Sequence, residues 1–303
     1  MTLKRRVQRA LRKSCKVLTV FSPALNSAVR YAAQNNKMPD LKNPQTFSEK
    51  LVYLKLNQYA KDPRVIRCAD KVAVRGYVTE HGYGHLLNDV IGVYDSAEQI
   101  PWAELPDQFA LMWNFGATYN IICADNSKLD IKAAKKQITR WGRTRGWLQD
   151  GEMHYKYCPK KLICEKYLDT DQGFLPYDYK LYCFHGEVKA ILLVMDRDQN
   201  KKGGFFSPEW EYIGPANAEY LGFETLPAQP ASLSEMLDCA RELSKEFPFV
   251  RVDFFQYGDR AIFGEMTFTP AAGIFMSQID VDGVSMGEML HLDIPGKQEK
   301  RKD

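Results

Sequence analysis

Two segments near the end of the chain combine acidic and basic side chains in a spacing that suits metal chemistry. They read V-R-V-D-F-F at 250–255 and F-G-E-M-T-F-T-P at 263–270. Alternation along a β-strand places Arg251 and Asp253 on one face of the first segment. By the same rule Glu265 and Thr267 share one face of the second. Pairing of the two strands would therefore bring two carboxylates and one arginine together.

A carboxylate pair of this kind suits Mg²⁺, which takes one or two protein carboxylates and fills its other positions with phosphate oxygens. In that interpretation Arg251 stabilises charge that develops on a transferred group. The alternative is a solvent-facing ion pair between Arg251 and a nearby acid on the neighbouring strand, which is common in sheets. Strand geometry alone leaves both interpretations open.

The strands that would position these side chains are predicted from alternating hydrophobicity and from turn residues. The closing pair covers 249–257 and 261–266 and is joined by the tight turn Gly258-Asp259. Earlier strands are predicted at 86–93, 109–113, 121–123, 162–167, 178–184 and 188–195. The turn His185-Gly186-Glu187 joins the last two, so this part of the chain should form an antiparallel meander.

Four helices are predicted from capping residues and apolar periodicity. Their starting signals are the capping box of Thr46 with Glu49, the segment that begins near Asp70, Ser127, and Ser232 with Glu235. Because these helices are interspersed with the strands, the sequence predicts a mixed α and β fold.

Composition limits the class of protein. The chain has 303 residues, 45% of them hydrophobic, and is long enough for two or three lobes around one cleft. A net charge of +3 gives no global sign of a nucleic-acid partner. The seven cysteines form no C-x-x-C, which argues against zinc or a disulfide framework and favours reduced thiols. No apolar run reaches the roughly 20 residues that span a bilayer, so a cytoplasmic protein is expected.

The first sixteen residues are basic and contain no acid. Their cations are Lys4, Arg5, Arg6, Arg9, Arg12, Lys13 and Lys16. Leu3, Val7 and Leu11 recur opposite this charge at near-helical spacing, as in a helix that lies on an anionic membrane. The alternative is a solvated helix packed on the rest of the protein. Peripheral contact with the inner face of the membrane is therefore one of two expectations for this segment.

The closing strand pair resembles the final motif of ATP-grasp ligases such as D-alanine–D-alanine ligase, and the chain as a whole resembles the TupA-like branch of that superfamily. The resemblance rests on an ordered set of segments. They read N-P-Q-T-F-S-E-K-L from 43, A-D-K-V-A-V-R-G-Y-V from 69, C-E-K-Y-L from 164, D-Y-K-L-Y-C-F-H-G-E from 178, F-P-F-V-R-V-D-F-F from 247 and G-E-M-T-F-T-P from 264.

The resemblance implies an α+β ATP-grasp fold that holds a nucleotide between two α+β lobes. The implied divisions are a helical N-terminal region at 1–60, an N-terminal α/β lobe at 61–105, a central lobe at 106–170 and a C-terminal lobe at 171–303. The implied cofactors are ATP and Mg²⁺. The metal would be held by Asp253 and Glu265, with Thr267 assisting.

The resemblance also implies roles for residues outside the closing strands. The implied nucleotide-binding residues are Lys71, Gly116, Glu165, Lys166, Tyr167, Leu168 and Lys180, with Glu165 facing the adenine amino group. The implied catalytic residues are Arg251, Arg197 and Lys202, with Lys202 on a loop that closes over the terminal phosphate. The branch usually has a lysine followed by a glycine-rich loop where this chain reads L-M-W-N-F-G-A-T-Y-N at 111–120. Lys71, Lys180 and Lys202 would then supply the phosphate-binding charge that Met112 lacks.

The activity implied is the ATP-dependent joining of a carboxylate to an amine through an acyl phosphate, within synthesis of a capsule or other surface polysaccharide. The expected partners are a sugar precursor that contains a uronic acid and an amino acid or other amine. Two alternative functions are also compatible with the sequence. Asp196-Arg197-Asp198 is a D-x-D string of the kind that binds metal in glycosyltransferases, and the change at Met112 fits a non-catalytic relative that binds without turnover.

Overall fold

Two large antiparallel sheets form the frame of the chain. The computed structural model describes residues 15–116, 118–170, 175–196, 200–217, 219–274 and 279–294. The strands are β1 (Val90–Tyr94), β2 (Phe109–Trp113), β3 (Asn120–Cys123), β4 (Leu162–Lys166), β5 (Asp178–Phe184), β6 (Glu187–Met195), β7 (Lys202–Phe206), β8 (Tyr212–Pro215), β9 (Phe249–Tyr257), β10 (Arg260–Thr267), β11 (Asp280–Val281) and β12 (Val284–Ser285). The four-stranded sheet has the order β1-β4-β2-β3, and the six-stranded sheet has the order β10-β9-β5-β6-β7-β8.

Helices accompany both sheets, so the predicted α+β class is confirmed. They are α1 (Pro23–Asn35), α2 (Phe47–Asn57), α3 (Pro63–Ala69), α4 (Ala73–Glu80), α5 (Ile131–Gly142), α6 (Gly146–Asp150), α7 (Leu233–Ser244) and α8 (Met286–Met289). Residues 15–21 are also helical. The predicted basic helix lies mostly outside the described residues. No helix in the described part of the chain is long and apolar enough to cross a membrane.

The predicted helix starts are partly confirmed. Thr46 and Glu49 form the expected capping box at the start of α2. Ser127 was wrong as a cap, because its backbone N–H donates to Asp125 within a short 3₁₀ turn, and Asp130 caps α5 by accepting from Ala133 N. The box predicted at Ser232 is also absent, since that side chain makes no capping bond to α7.

The six-stranded sheet separates a hydrophobic face from a charged one. On one face Val250, Val252 and Phe254 are fully buried in the main core, against which α7 packs. Arg251 and Asp253 alternate with them and point to the other face, as period-two geometry requires. The same strand therefore anchors the core and presents the charged side chains.

Tight two-residue turns set the register of this sheet. His185 and Gly186 join β5 to β6 with φ of 50° and 85°, the left-handed pair typical of a two-residue hairpin. Gly258, with φ of 59°, and Asp259 join β9 to β10, as predicted. The strand predicted at 86–93 begins later, at Val90, because Gly84–Leu86 forms a 3₁₀ turn instead.

β1 lies in the same sheet as the strands that follow it. Val93 pairs with Ile163 of β4, so the predicted lobes at 61–105 and 106–170 share one four-stranded sheet. The second sheet falls within the predicted 171–303 lobe. The division of the chain into lobes at those boundaries stays a prediction.

Lys55 of α2 is a fully buried cation that ties three parts of the fold together. Its Nζ donates to Asp150 O at 3.0 Å and to Ala272 O at 2.9 Å. Burial lowers the pKa of Lys55 from 10.5 to about 7, an effect that Glu152 opposes and Arg30 reinforces. Burial therefore fixes the position of this side chain but makes its ammonium group easier to deprotonate.

This depressed pKa predicts a pH-dependent stability. Between about pH 7 and 10.5 the unfolded chain binds more protons at Lys55 than the folded chain, so the Lys55 contribution to stability rises with pH. Lys55→Met removes that contribution. We expect the unfolding free energy of the wild type, relative to that of the variant, to rise by about 1.4 kcal/mol per pH unit from pH 7 to 9. Urea unfolding at several pH values measures the difference, and parallel curves would contradict the assignment.

Candidate functional site

A buried cluster of charged side chains lies where β5, β9 and β10 run side by side. Arg251 binds Asp253 through two bonds, from Nε to Oδ1 and from Nη2 to Oδ2, each 2.6 Å long. Lys180 of the neighbouring strand donates to Asp253 Oδ2 at 2.9 Å and lies 2.6 Å from Asp178 Oδ2. The cross-strand pairing of Lys180 with Asp253 places these groups together. One carboxylate therefore faces two cations.

Glu265 forms the second half of the cluster. Its Oε2 accepts from Lys71 Nζ at 2.5 Å, and its Oε1 accepts from Thr267 Oγ1 at 3.0 Å. Arg251 Nη2 lies 3.6 Å from Glu265 Oε1 and donates to Thr267 Oγ1 at 3.1 Å. Arg251 therefore connects the two carboxylates, which were predicted to cluster in this way.

A β-bulge aligns the two carboxylates. The register between β10 and β9 shifts between Phe263 and Glu265, and Glu265 then pairs directly with Asp253. Gly264 lies at the bulge, where an added Cβ would sit 3.0 Å from Asp253 O. A larger residue at 264 would therefore push the two strands apart at the cluster.

Burial and the neighbouring charges shift the pKa values of this cluster in different directions. Burial raises the pKa of Glu265, but Lys71 and Arg251 outweigh it and hold that pKa well below its usual range. Burial raises the pKa of Asp253 above its ordinary value, and the neighbouring Arg251 and Lys180 offset only part of this shift. Desolvation opposes the charge of Arg251, but its acidic partners raise the pKa of the guanidinium above its ordinary value.

A cavity of about 320 Å³ lies between the two sheets beside this cluster. All seven predicted nucleotide-binding residues line it: Lys71, Gly116, Glu165, Lys166, Tyr167, Leu168 and Lys180. Asp253 and Glu265 line it as well, while Ala110, Met112, Phe255 and Ile262 supply apolar wall. The cavity has the size of a small-molecule site, and both apolar and charged side chains line it.

Glu165 lines this cavity and is also paired with a cation. Its Oε1 accepts from Arg75 Nη1 at 3.0 Å, and Arg75 Nη2 donates to Asn88 O at 2.6 Å. The carboxylate is therefore held by α4 within the cavity lining, and its role toward an adenine amino group stays a prediction. Arg75 was not predicted from the sequence, although it lies four residues after Lys71. Nor was Asp178, which shares a strand face with Lys180.

The segment at 111–120, which has Met112 in place of a lysine and lacks a glycine-rich loop, contributes residues to the lining of the same cavity. Met112 lies in β2, and Gly116 and Thr118 both have left-handed backbones, with φ of 65° and 68°. Asn114 O accepts from Lys71 N at 3.0 Å, which fixes the start of α4 against this segment. Lys71 and Lys180 bring charge to the cavity from other elements, and their binding of phosphate stays a prediction.

Lys202 lies elsewhere than the sequence predicted. It is the first residue of β7, paired with Met195, and its Nζ lies 3.6 Å from Asp196 Oδ2. It is therefore part of a strand and not of a mobile phosphate loop, and it is not among the described residues that line either cavity. Arg197 and Asp198 lie outside the described residues, so the role of Arg197 and the D-x-D interpretation stay predictions.

A second cavity, of about 700 Å³, adjoins the first. Residues common to both linings include Gly116, Thr118, Lys180 and Glu265, so the charged cluster lies at their junction. The second cavity is also lined by Arg251 and Thr267, by aromatic side chains and by further cations. The aromatic residues are Phe115, Tyr119, Trp147, Tyr155, Tyr182 and Tyr220. The further cations are Arg30, Lys156 and Lys160.

The donor set fits Mg²⁺ held jointly with phosphate. Asp253 and Glu265 offer hard oxygen ligands, and the Thr267 hydroxyl adjoins them. Within the described part of the chain, no group of three or more His, Cys, Asp or Glu is placed to hold a metal ion. A cation here would therefore need oxygens from a bound phosphate to complete its coordination.

Fold and site together define a protein with a small-molecule cavity between two antiparallel sheets and a carboxylate pair in its lining. The sequence model of the TupA-like ATP-grasp family matches residues 49–290. The chain belongs to the TupA-like ATP-grasp family. No curated protein shows significant similarity to the chain.

Solved structures of ATP-grasp enzymes are similar to this one at low identity. D-alanine–D-alanine ligase from Bacillus anthracis, solved with ATP, is 15% identical over 68% of this chain and 55% of its own, with a TM-score of 0.41. The D-cycloserine synthetase DcsG is 12% identical over 73% and 69%, also with a TM-score of 0.41. The ligase PsnB is 11% identical over 73% and 60%, with a TM-score of 0.38. This chain thus spans little more than half the length of the D-alanine ligase.

Proposed function

We propose that this protein is an ATP-dependent ligase that activates a carboxylate as an acyl phosphate and couples it to an amine, releasing ADP and phosphate. The observation that carries the proposal is the charged cluster at the junction of two cavities. Asp253 and Glu265 face the nucleotide-sized cavity, while Arg251 and Thr267 line the larger one. A group transferred from one cavity to the other would pass this cluster.

In this proposal the first cavity takes ATP with its phosphates toward the cluster. Asp253 and Glu265 would hold Mg²⁺, which neutralises phosphate charge and orients the terminal phosphoryl group. Lys71 and Lys180 now pair with these carboxylates, at 2.5 and 2.9 Å. Both ammonium groups are therefore within reach of a phosphate bound to the same carboxylates through the metal, and would stabilise its charge.

The larger cavity would take the carboxylate and the amine. Oxygen of the acceptor carboxylate attacks the terminal phosphorus, ADP leaves, and the amine then displaces phosphate from the acyl phosphate. Arg251 lines this cavity and is held by two bonds to Asp253, so its guanidinium is positioned to stabilise the oxyanion that forms in the second step. Enclosure matters because an acyl phosphate exposed to water hydrolyses.

We propose a uronic acid of a surface polysaccharide precursor as the acceptor and an amino acid as the amine. The support is chemical. Trp147, Tyr119 and Tyr220 give the larger cavity aromatic faces on which a sugar ring could stack, and Lys156 and Arg30 give it positive charge for a carboxylate. Its volume of about 700 Å³ is within the range that accommodates a ligand larger than an amino acid.

The activity is tested by incubating the protein with ATP, Mg²⁺ and a panel of uronic acids, with hydroxylamine in place of the amine. Hydroxylamine converts an acyl phosphate into a stable hydroxamate, so ADP and hydroxamate should form in equal amounts with a true substrate. Amino acids are then screened for amide formation with that acid. ADP release that never yields hydroxamate or amide with any acid would argue against the ligase and for simple hydrolysis.

Met112 gives a prediction about nucleotide affinity. A lysine at this position of β2 would place an ammonium in the wall of the first cavity, where Met112 now contributes only apolar surface. We expect Met112→Lys to tighten ATP binding about tenfold, because one charge-assisted bond to phosphate contributes on the order of 1.5 kcal/mol. Calorimetric titration with ATP and Mg²⁺ measures the change, and Met112→Gln is the uncharged control. Equal affinities for the three proteins would mean that no phosphate lies near this residue.

A further inference from the structure

The N-terminal helical segment comprises residues 15–21 and α1. It has a polar side and an apolar side, and the polar side faces the protein. Its polar side chains face the protein: Thr19 and Asn26 are buried, with Thr19 Oγ1 donating to Leu148 O at 2.6 Å. Asn26 Nδ2 donates to Gln149 O at 3.1 Å, and Arg30 forms an ion pair with Asp150. The segment is therefore docked on α6 mainly through polar groups.

Its large apolar side chains face outward. Phe21 is 82% exposed, Val20 66%, Val17 58% and Leu25 48%. Val17, Val20 and Phe21 follow the i, i+3, i+4 spacing of one helical face. Leu25, in the first turn of α1 beyond the extended Ser22, is exposed as well. Folding alone gives no reason to leave this apolar face in water, because a helix that packs on its own protein normally buries such a face.

In the sequence, the charged residues of this part of the chain have a single sign. The first 39 residues contain no Asp or Glu, and their cations are Lys4, Arg5, Arg6, Arg9, Arg12, Lys13, Lys16, Arg30 and Lys37. Lys16 is exposed beside Val17. A second copy of the chain bound face to face would bring two such basic regions together, which costs free energy through repulsion. The complementary partner is apolar at its centre and negatively charged at its rim.

We propose that the outer face formed by Val17, Val20, Phe21 and Leu25 binds an anionic lipid surface. The apolar side chains enter the boundary between headgroups and acyl chains, and the basic region around Lys16 binds the acidic headgroups. Apolar insertion and electrostatic attraction together are the two contributions that stable peripheral attachment needs. The inference stands independently of the proposed ligase activity, since it uses no residue of the charged cluster.

The lipid-binding face and the larger cavity share one structural support. Arg30, Gln149 and Asp150 line that cavity, and the same residues anchor the helical segment through its polar side. Attachment through this face would therefore hold the cavity near the lipid surface.

Co-sedimentation of the full chain with vesicles tests the inference. We expect binding to vesicles of equal parts phosphatidylglycerol and phosphatidylcholine, weak binding to phosphatidylcholine alone, and release at high salt. Val20→Ser with Phe21→Ser should lower the partition coefficient at least about tenfold, since it removes two inserted apolar side chains. Met38→Ser is the matched control, because Met38 is 63% exposed outside this face. Lys16→Glu should lower binding about fivefold, and Lys189→Glu should not.

Calorimetric ATP binding and thermal unfolding show whether each variant is folded, and light scattering gives its oligomeric state. No binding to the acidic vesicles, or equal binding to vesicles without acidic lipid, would overturn the proposal. A wild-type dimer that becomes monomeric in the Val20→Ser, Phe21→Ser variant would also overturn it, because a second copy would then cover the face.

Discussion

Asp253→Asn and Glu265→Gln are each expected to lower metal-dependent ADP formation by about 10²–10³-fold. Each change removes one of the two negative oxygen ligands that face the first cavity from adjacent strands. An amide oxygen binds Mg²⁺ far more weakly than a carboxylate, and the phosphoryl group then loses both its orientation and its charge neutralisation. The coupled ADP assay measures the rate with each acid and amine found to be a substrate.

The matched control is Asp259→Asn. Asp259 lies in the turn that joins the same two strands and is exposed outside both cavities. Its replacement removes a carboxylate of the same sheet without touching the cluster, so ADP formation should stay within about twofold of wild type. Wild-type turnover by both cluster variants would show that the carboxylates do not bind the catalytic metal.

Arg251→Met is expected to destabilise the fold by about 3–5 kcal/mol as well as to abolish turnover. Arg251 makes both of its 2.6 Å bonds to Asp253, whose side chain is 3% exposed. Removing one member of a buried pair leaves the other charge without its main partner. Urea unfolding monitored by tryptophan fluorescence gives the loss of stability.

The double variant Arg251→Met, Asp253→Asn separates this electrostatic penalty from lost packing. Because the carboxylate is neutralised together with its partner, we expect the double variant to be more stable than Arg251→Met alone. If the double variant instead loses as much stability as the two single variants together, the Arg251–Asp253 bonds contribute little coupling energy.

Local patterns in the sequence were sufficient to predict the two strands that carry Arg251, Asp253 and Glu265. The turn at Gly258-Asp259 and the alternation of Arg251 with hydrophobic neighbours fix which face the cation lies on, and both depend on residues close in sequence. The capping box at Thr46 is local in the same way. These features were predicted correctly because the physical cause lies within a few residues of the effect.

Other features depend on contacts that no local pattern contains. Lys71 reaches Glu265 across 194 residues and Arg75 reaches Glu165 across 90, so neither ion pair could be found without the fold. The bulge at Gly264 shifts the register by an amount that alternation alone does not reveal. The placement of Lys202 on a loop was wrong because β7 begins at that residue, directly opposite Met195.

The central claim is that Asp253 belongs to a site that binds Mg²⁺ and ATP together. Isothermal titration of the wild type with ATP, in the presence and absence of Mg²⁺, tests it most directly when repeated with Asp253→Asn and Asp259→Asn. The site predicts binding that requires the metal, is lost in Asp253→Asn and is retained in Asp259→Asn. Binding that is equal with and without Mg²⁺, or that survives unchanged in Asp253→Asn, would contradict the claim.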